Sequence, residues 1–291
     1  MQELPNPMFP LSQLGARPAF WRAPPSTRLA VAVPQVSEVP AVAPPQRAAG
    51  QGITVGWARH QDDVRAAQRL RYEVFAGEMG ARLTTTLANH DIDLFDDFCE
   101  HLLVREEETG QVIGTYRVLT PAQARRIGST YSDTEFDLTR LRDLRERMVE
   151  LGRSCVHRDH RQGGVILALW GALAGFMHRN RLDTMIGCAS IPMQHNGVSS
   201  GDAAASIWRQ LSATHMAPIQ YQVQPRLPLP IDRLNGELDV EPPALIKGYL
   251  RLGAKVLGAP AWDPDFNTAD LPMLMRIDDL PPRYRKHFLG N

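Results

Sequence analysis

Met148-Val-Glu-Leu-Gly-Arg-Ser-Cys-Val-His-Arg-Asp-His-Arg-Gln-Gly-Gly-Val-Ile-Leu-Ala-Leu-Trp170 changes its period part-way along. Residues 148–156 are short, mostly apolar and strand-like, whereas Ile166, Leu169, Trp170, Leu173, Phe176 and Met177 recur at helical spacing. Between them lies a basic turn with Gly163 and Gly164, where a backbone without side chains comes close to a ligand. The first amides of the following helix lack intrahelical partners and carry partial positive charge, so the junction reads as an anion site. Arg158, His160 and Arg161 add charge that suits a phosphate or phosphopantetheine group better than an apolar ligand. A solvated basic loop is the alternative.

Working outward, composition sets the bounds. The 291 residues with 43% hydrophobic content are ample for a globular core. Lys plus Arg and Asp plus Glu are both 32, so no bulk field favours nucleic acid, and any anion site is a local patch. Cys99, Cys155 and Cys188 are too few and scattered for a disulfide framework, which points to a reducing compartment. No apolar run reaches the roughly 20 residues of a membrane span, and no secretory signal is evident. Residues 1–50 hold ten of the 23 prolines and six charged side chains, and read as a flexible or loosely docked leader. The ordered domain is expected over 51–291.

In that domain the pattern predicts a strand at Ile53–Trp57 and a helix from Gln61 carrying Val64, Ala67, Leu70, Val74 and Phe75. If the helix persists, Arg71 and Glu78 share a face two turns apart. An acidic run follows, with Asp91, Asp93, Asp96 and Asp97 in seven residues. His101–Arg105 and Gln111–Leu119 flank a glycine-containing turn and read as a hairpin. Helices are expected at Pro121–Ile127, Ala203–Leu211 and Pro243–Leu252, with strands at Thr184–Ile191, Ile219–Val223 and Pro272–Ile277. Phe136–Leu144 reads as a polar helix or irregular connection.

This order of elements looks like the N-acetyltransferase-type acyltransferase fold. Arg71-Tyr-Glu-Val-Phe75, Asp91-Ile-Asp93 with Asp96, Gly114-Thr-Tyr-Arg117 and Glu150-Leu-Gly-Arg153 resemble successive blocks of the acyl-homoserine-lactone synthases. A closer similarity, over roughly residues 53–289 and including Pro260-Ala-Trp-Asp-Pro-Asp-Phe-Asn267, is to the L-ornithine N-alpha-acyltransferases, the first enzymes of ornithine lipid synthesis. The resemblance implies an α/β (α+β), GNAT-like N-acyltransferase fold, a mixed central sheet flanked by helices, with a C-terminal extension. It implies transfer of a (3-hydroxy)acyl group from acyl carrier protein to the alpha-amino group of L-ornithine, in the bacterial cytoplasm or at the inner face of the membrane. Its rivals are an acyl-homoserine-lactone synthase using S-adenosylmethionine and a non-catalytic protein that binds acyl carrier protein or a membrane.

The turn departs from the Arg/Gln-x-x-Gly-x-Gly/Ala pattern of coenzyme A acetyltransferases, since Arg161-Gln-Gly-Gly164-Val is followed by Ile166. An incomplete cradle suits the single phosphodiester of a carrier-borne phosphopantetheine, whose folded acidic partner shares the binding. Val156, Arg158, Arg161, Gly163, Gly164, Arg179 and Arg181 are the donor-side candidates, with no resident cofactor and no metal. Glu150 is the candidate general base with Arg153 beside it; they would face opposite ways on a regular strand unless a bulge at Gly152 re-aims one. A structural ion pair between them is the alternative. Amides near Cys155 and Val156 are placed to polarise a carbonyl. Asp91, Asp93 or Asp96 would take an ornithine ammonium and Arg71 or Arg117 its carboxylate. Cys155-Val-His157-Arg-Asp-His160 does not read as a metal or nucleophile site. Arg283–Leu289 mixes cations with aromatics, as a bilayer-surface contact or a solvated tail would.

Overall fold

A computed structural model describes Ala43, residues 45–48 and residues 52–289. Most of the leader, including all of residues 1–42, lies outside the described residues. Its last part does not stay apart from the domain, because Gln46–Ala48 (β1) pairs antiparallel with Ile53–Trp57 (β2).

The sheet is built from β1, β2, Glu100–Glu106 (β3), Val112–Leu119 (β4), Met148–Val156 (β5), Thr184–Pro192 (β6), Lys255–Val256 (β7), Ala261–Asp263 (β8) and Thr268–Arg276 (β9). Its order is β1-β2-β3-β4-β5-β6-β9-β7, with β8 also on the outer edge of β9. Neighbours run antiparallel except β5 and β6, which are parallel. The helix Gly164–Arg179 (α4) makes that crossover, packing Val165, Leu169, Leu173 and Phe176 onto the central strands. Gly114 on β4 has no side chain where Val165 sits, so the helix approaches the strand closely.

Two local features shape the middle of the sheet. β5 and β6 pair only from Met148↔Thr184 to Glu150↔Ile186, then diverge. Gly187 lies against the Leu151 carbonyl at the fork, a place any Cβ would fill. On the other edge of β5, Arg117 pairs with Gly152 but Thr115 pairs with Cys155, which leaves one extra residue in β5. Arg153 is in this bulge with φ 49°, a left-handed conformation uncommon for a side chain of its size. The expected bulge therefore exists one residue beyond the glycine.

The helix Gln61–Tyr72 (α1) opens with a capping box between His60 and Asp63. It continues into a wider π turn, Glu73–Glu78. That turn separates the fates of two residues expected on one face, as Arg71 goes into the core and Glu78 meets Arg161. Pro121–Ile127 (α2) starts on a Thr120–Gln123 capping box and stops at left-handed Gly128. The short helix Ser132–Glu135 (α3) follows, and Phe136–Leu144 is a two-residue strand and a 3-10 turn.

Asp202–Thr214 (α5) and Ala244–Arg251 (α6) cover the β6–β9 half. Ile219–Val223 is not the expected strand: Ile219–Tyr221 is a 3-10 turn after Pro218 with Ile219 largely exposed, and strand pairing begins only at Gln224, opposite Asp137. The C-terminal segment forms Pro282–Leu289 (α7), set against α4. Among the described residues no helix is long and apolar enough to cross a membrane.

Candidate active site

The acidic run and the three arginines of the quoted blocks fold onto each other. Arg71, fully buried, donates from Nε to Asp91 (2.7 Å) and from Nη1 to Asp96 (2.8 Å). Arg117 donates from Nη1 to Asp93 (2.5 Å) and Asp96 (2.9 Å). Arg153 reaches Asp93 at 3.0 Å and lies 3.2 Å from Asp91. Three cations and three carboxylates neutralise one another, with the Gln68 amide and the His101 ring bonded at Asp96. Burial opposes the charge on Asp96, but the Arg71 guanidinium outweighs it and holds that carboxyl far below the usual range.

This corrects the acceptor assignment: Arg71, Asp91 and Asp96 are closed inside the network, with little surface for a substrate. Arg117 and Arg153 do reach a cavity of about 180 Å³ that opens where β5 and β6 diverge. Glu150, Tyr131, Ser154, Asp263, Phe266 and Asp270 share its wall. The Arg153 guanidinium is clasped between the rings of Tyr131 (4.8 Å) and Phe266 (4.6 Å).

Glu150 does not pair with Arg153. Its two oxygens accept from the backbone N–H groups of Tyr131 (2.7 Å) and Ser132 (2.6 Å) at the start of α3. Burial raises its proton affinity above the ordinary carboxylate value, against the pull of those donors. Each oxygen keeps a lone pair for a proton arriving from the cavity.

The cavity also carries carboxylates that sequence reasoning missed. Asp270 is buried, accepts from the Thr268 hydroxyl at 2.8 Å, and is pushed up to about 6 by burial and by neighbouring Asp263. Glu135 nearby is raised to about 7 by burial and by both aspartates. Asp263 accepts from the backbone N–H groups of Asp265 and Phe266, and the Tyr131 hydroxyl lies 3.4 Å from its other oxygen. No arginine or lysine forms an ion pair with Asp263, Asp270 or Glu135 among the described residues. Asp263 belongs to the quoted Pro260–Asn267 block, yet only the β8–β9 pairing Asp263↔Thr268 sets it beside Asp270.

On the other side of the bulge a groove of about 430 Å³ runs past Ser154, Cys155, Val156, Arg161 and Gly163 to the start of α4. Gly163 caps the helix with φ 99°, leaving first-turn amides aimed outward. Arg161 donates to the Val156 carbonyl and to Glu78, and Arg158 is exposed next to it. Arg179 and Arg181 are not gathered there. They lie at and beyond the far end of a 16-residue helix, roughly 24 Å from its start. Burial pushes the Cys155 thiol up to about 12, which leaves it a protonated packing group. His157 is 3.3 Å from Glu73 and its ring packs edge-on to His160.

Residues 70–171 match the family model described as an acetyltransferase (GNAT) domain. Among solved structures, the chain is similar to the acyl-homoserine-lactone synthase LasI, with TM-score 0.47 and 13% identity, covering 82% of this chain and 94% of that one. Among curated proteins, an L-ornithine N(alpha)-acyltransferase of Rhodobacter capsulatus is 35% identical over 250 residues, covering 79% of this chain and 92% of the relative. One from Brucella abortus is 34% identical over 253 residues, covering 81% and 88%. With most of both chains aligned at this identity, and with the GNAT domain built around the forked sheet, the chain belongs to the L-ornithine N(alpha)-acyltransferase family.

Proposed function

We propose that this enzyme moves a (3-hydroxy)acyl group from acyl carrier protein to the alpha-amino group of L-ornithine, giving lyso-ornithine lipid. The observation that carries the acceptor reading is the polarity of the cavity. Its wall carries both Arg117 and Arg153 and the aspartates 263 and 270, which suits an amino acid with a carboxylate and a second, terminal ammonium. Tyr131 links two of the cavity's acids: its backbone N–H holds Glu150 and its hydroxyl approaches Asp263.

In this reading the donor's phosphopantetheine lies in the groove, its phosphate near the first amides of α4 with Arg158 and Arg161. Its thioester carbonyl sits at the bulge, where backbone N–H groups of the Ser154–Val156 stretch receive the developing oxyanion. Glu150, directly or through water, takes a proton from the alpha-amine. The nitrogen–carbon bond forms, the carbon–sulfur bond breaks, and the thiolate leaves to be protonated. Arg285 and Lys286 on α7, with Arg283, offer a basic surface for peripheral contact with an anionic bilayer that would receive the product.

Incubation of purified protein with 3-hydroxyacyl carrier protein and ornithine is expected to give N-acylornithine by mass spectrometry. Absence of that product overturns the reading. Formation of an acylhomoserine lactone from S-adenosylmethionine in its place would assign the chain to the rival activity.

A further inference from the structure

The two amides that grip Glu150 belong to Tyr131 and Ser132, the middle residues of the turn Thr130-Tyr-Ser-Asp133. At the ends of that turn the side chains bond reciprocally. The Asp133 carboxylate accepts from the Thr130 N–H (3.0 Å) and hydroxyl (2.8 Å), and the Asp133 N–H donates to the Thr130 hydroxyl oxygen (3.2 Å). Arg145 then donates to both oxygens of Asp133, at 2.6 and 3.0 Å, and Arg226 donates to its carbonyl at 2.7 Å. Burial opposes the charge on Asp133, but the Arg145 guanidinium and the Thr130 donors outweigh it and hold that carboxyl below its ordinary value.

These bonds close a ring through the chain. Arg145 lies between the 3-10 turn Thr139–Leu144 and β5, the strand that carries Glu150. The base and the amides that hold it are thus tied together twice, directly and through Arg145 and Asp133. Thr130, Asp133 and Arg145 do not line the acceptor cavity, whereas Tyr131, Ser132 and Glu150 do. Their effect on acyl transfer therefore passes through the turn. Without the Asp133 carboxylate the turn loses the acceptor that fixes both its end and Arg145, and its amides are free to rotate away from a buried Glu150.

We propose that Thr130, Asp133 and Arg145 are positioning residues for the general base, fixing the turn so that the Tyr131 and Ser132 amides keep the Glu150 carboxylate aimed at the acceptor's amine. This rests on the acyl-transfer reading above, in which Glu150 takes the proton. Burial raises the proton affinity of Glu150, and the Ser132 hydroxyl, the two amides and the Arg117 guanidinium hold it down, so a loosened turn raises it further. The other charged and titratable groups around Glu150 are Arg145, Cys99 and Cys188, with Tyr131, Arg153, Asp263 and Asp270 in the cavity wall. Burial pushes Cys99 up to about 12 and raises Cys188 and the Tyr131 phenol well above their ordinary values, so these stay neutral near neutral pH. Asp270 at about 6 and Glu135 at about 7 do titrate there, and saturating ornithine takes their effect on acceptor binding out of the rate.

The test is the single-turnover rate of N-acylornithine formation by the full-length protein from acyl carrier protein at saturating ornithine, followed from about pH 5.5 to 9. Asp133→Asn keeps the shape and removes the charge. It should move the acid limb of the profile up by about one pH unit, an approximately tenfold loss on the acid side, with most of the rate recovered at the alkaline end. Thr130→Val should shift the limb the same way by less, while Thr130→Ser, which keeps the hydroxyl, should match wild type. In a Glu150→Gln background Asp133→Asn should move nothing, because no carboxyl is left to shift. A loss by the same factor at every pH, or an equal shift in the Glu150→Gln background, would mark a merely structural role and overturn the inference while leaving acyl transfer standing. If Asp133→Asn does not fold, the Thr130 pair decides: an unmoved Thr130→Val limb overturns the inference. If wild type makes no N-acylornithine, the acyl-transfer reading fails and this inference falls with it.

Discussion

Glu150 and Asp270 are carboxylates in one cavity whose proton affinities are both raised, yet their surroundings assign them different work. Glu150 is gripped by two backbone amides, so its position is fixed and its free lone pairs face the cavity. Glu150→Gln should lower kcat by roughly a hundredfold or more, as loss of a general base does; full turnover would remove it from the mechanism. Asp270 is expected to hold the acceptor's terminal cation. Asp270→Asn should raise the KM for ornithine about tenfold or more with a smaller effect on kcat, because it removes binding shared by ground and transition states. Initial rates over a range of ornithine concentrations separate the two parameters, and an unchanged KM would place the cation elsewhere. Glu150 could be singled out in the sequence because it lies in a predicted strand just before Gly152 and Arg153. Asp270 could not, since a lone aspartate in an apolar run carries no sign of what lies across the sheet.

Elements decide what the charged blocks do. α1, the 91–97 loop, β4 and the bulged β5 each bring one or more members of the arginine–aspartate network, and the network ties them together. Arg71→Ala would leave Asp91 and Asp96 short of their buried countercharge, so a loss of roughly 3–5 kcal/mol is expected in denaturant unfolding. A loss under about 1 kcal/mol, the size of an exposed pair, would contradict the closed network. The sequence showed these charges at the right intervals for pairing but equally for ligand binding, because spacing does not reveal whether opposite charges already satisfy one another. The donor turn shows the same limit. Gly163 and Gly164 marked the turn, and the structure puts left-handed Gly163 at the start of α4 in the wall of the groove; Arg179 and Arg181 looked equally available until α4 placed them at its other end. Neutralising Arg158 and Arg161 together should raise the KM for carrier-borne donor several-fold and flatten its salt dependence. An equal effect on free acyl-pantetheine would mean they hold the prosthetic group and not the carrier surface.

At the scale of the whole molecule, the proposed acceptor binding predicts a coupling to stability through the carboxylates of the cavity. In the free protein Asp270 at about 6 and Glu135 at about 7 bind protons more tightly than unfolded carboxylates do. Their contribution to stability is therefore fully present below the unfolded values and is lost as pH rises through about 6 and 7. An acceptor with a terminal ammonium reverses the sign locally, since it favours the ionised forms. The rise in Tm produced by ornithine should accordingly be larger at pH 8 than at pH 5.5, measured by thermal melts at fixed ligand; a shift independent of pH would separate these carboxylates from the binding site. By itself the sequence determined the strand–turn–helix core, most element positions and the family resemblance, and singled out Glu150 as a candidate, because periodicity, glycines and caps act over a few residues along the chain. Only the tertiary structure decided which charges cancel, that Ile219–Tyr221 turns instead of extending, and that Asp263 and Asp270 share the cavity at the fork of β5 and β6. Those outcomes depend on distances between segments far apart in the chain, and such distances are set by sheet register and helix packing.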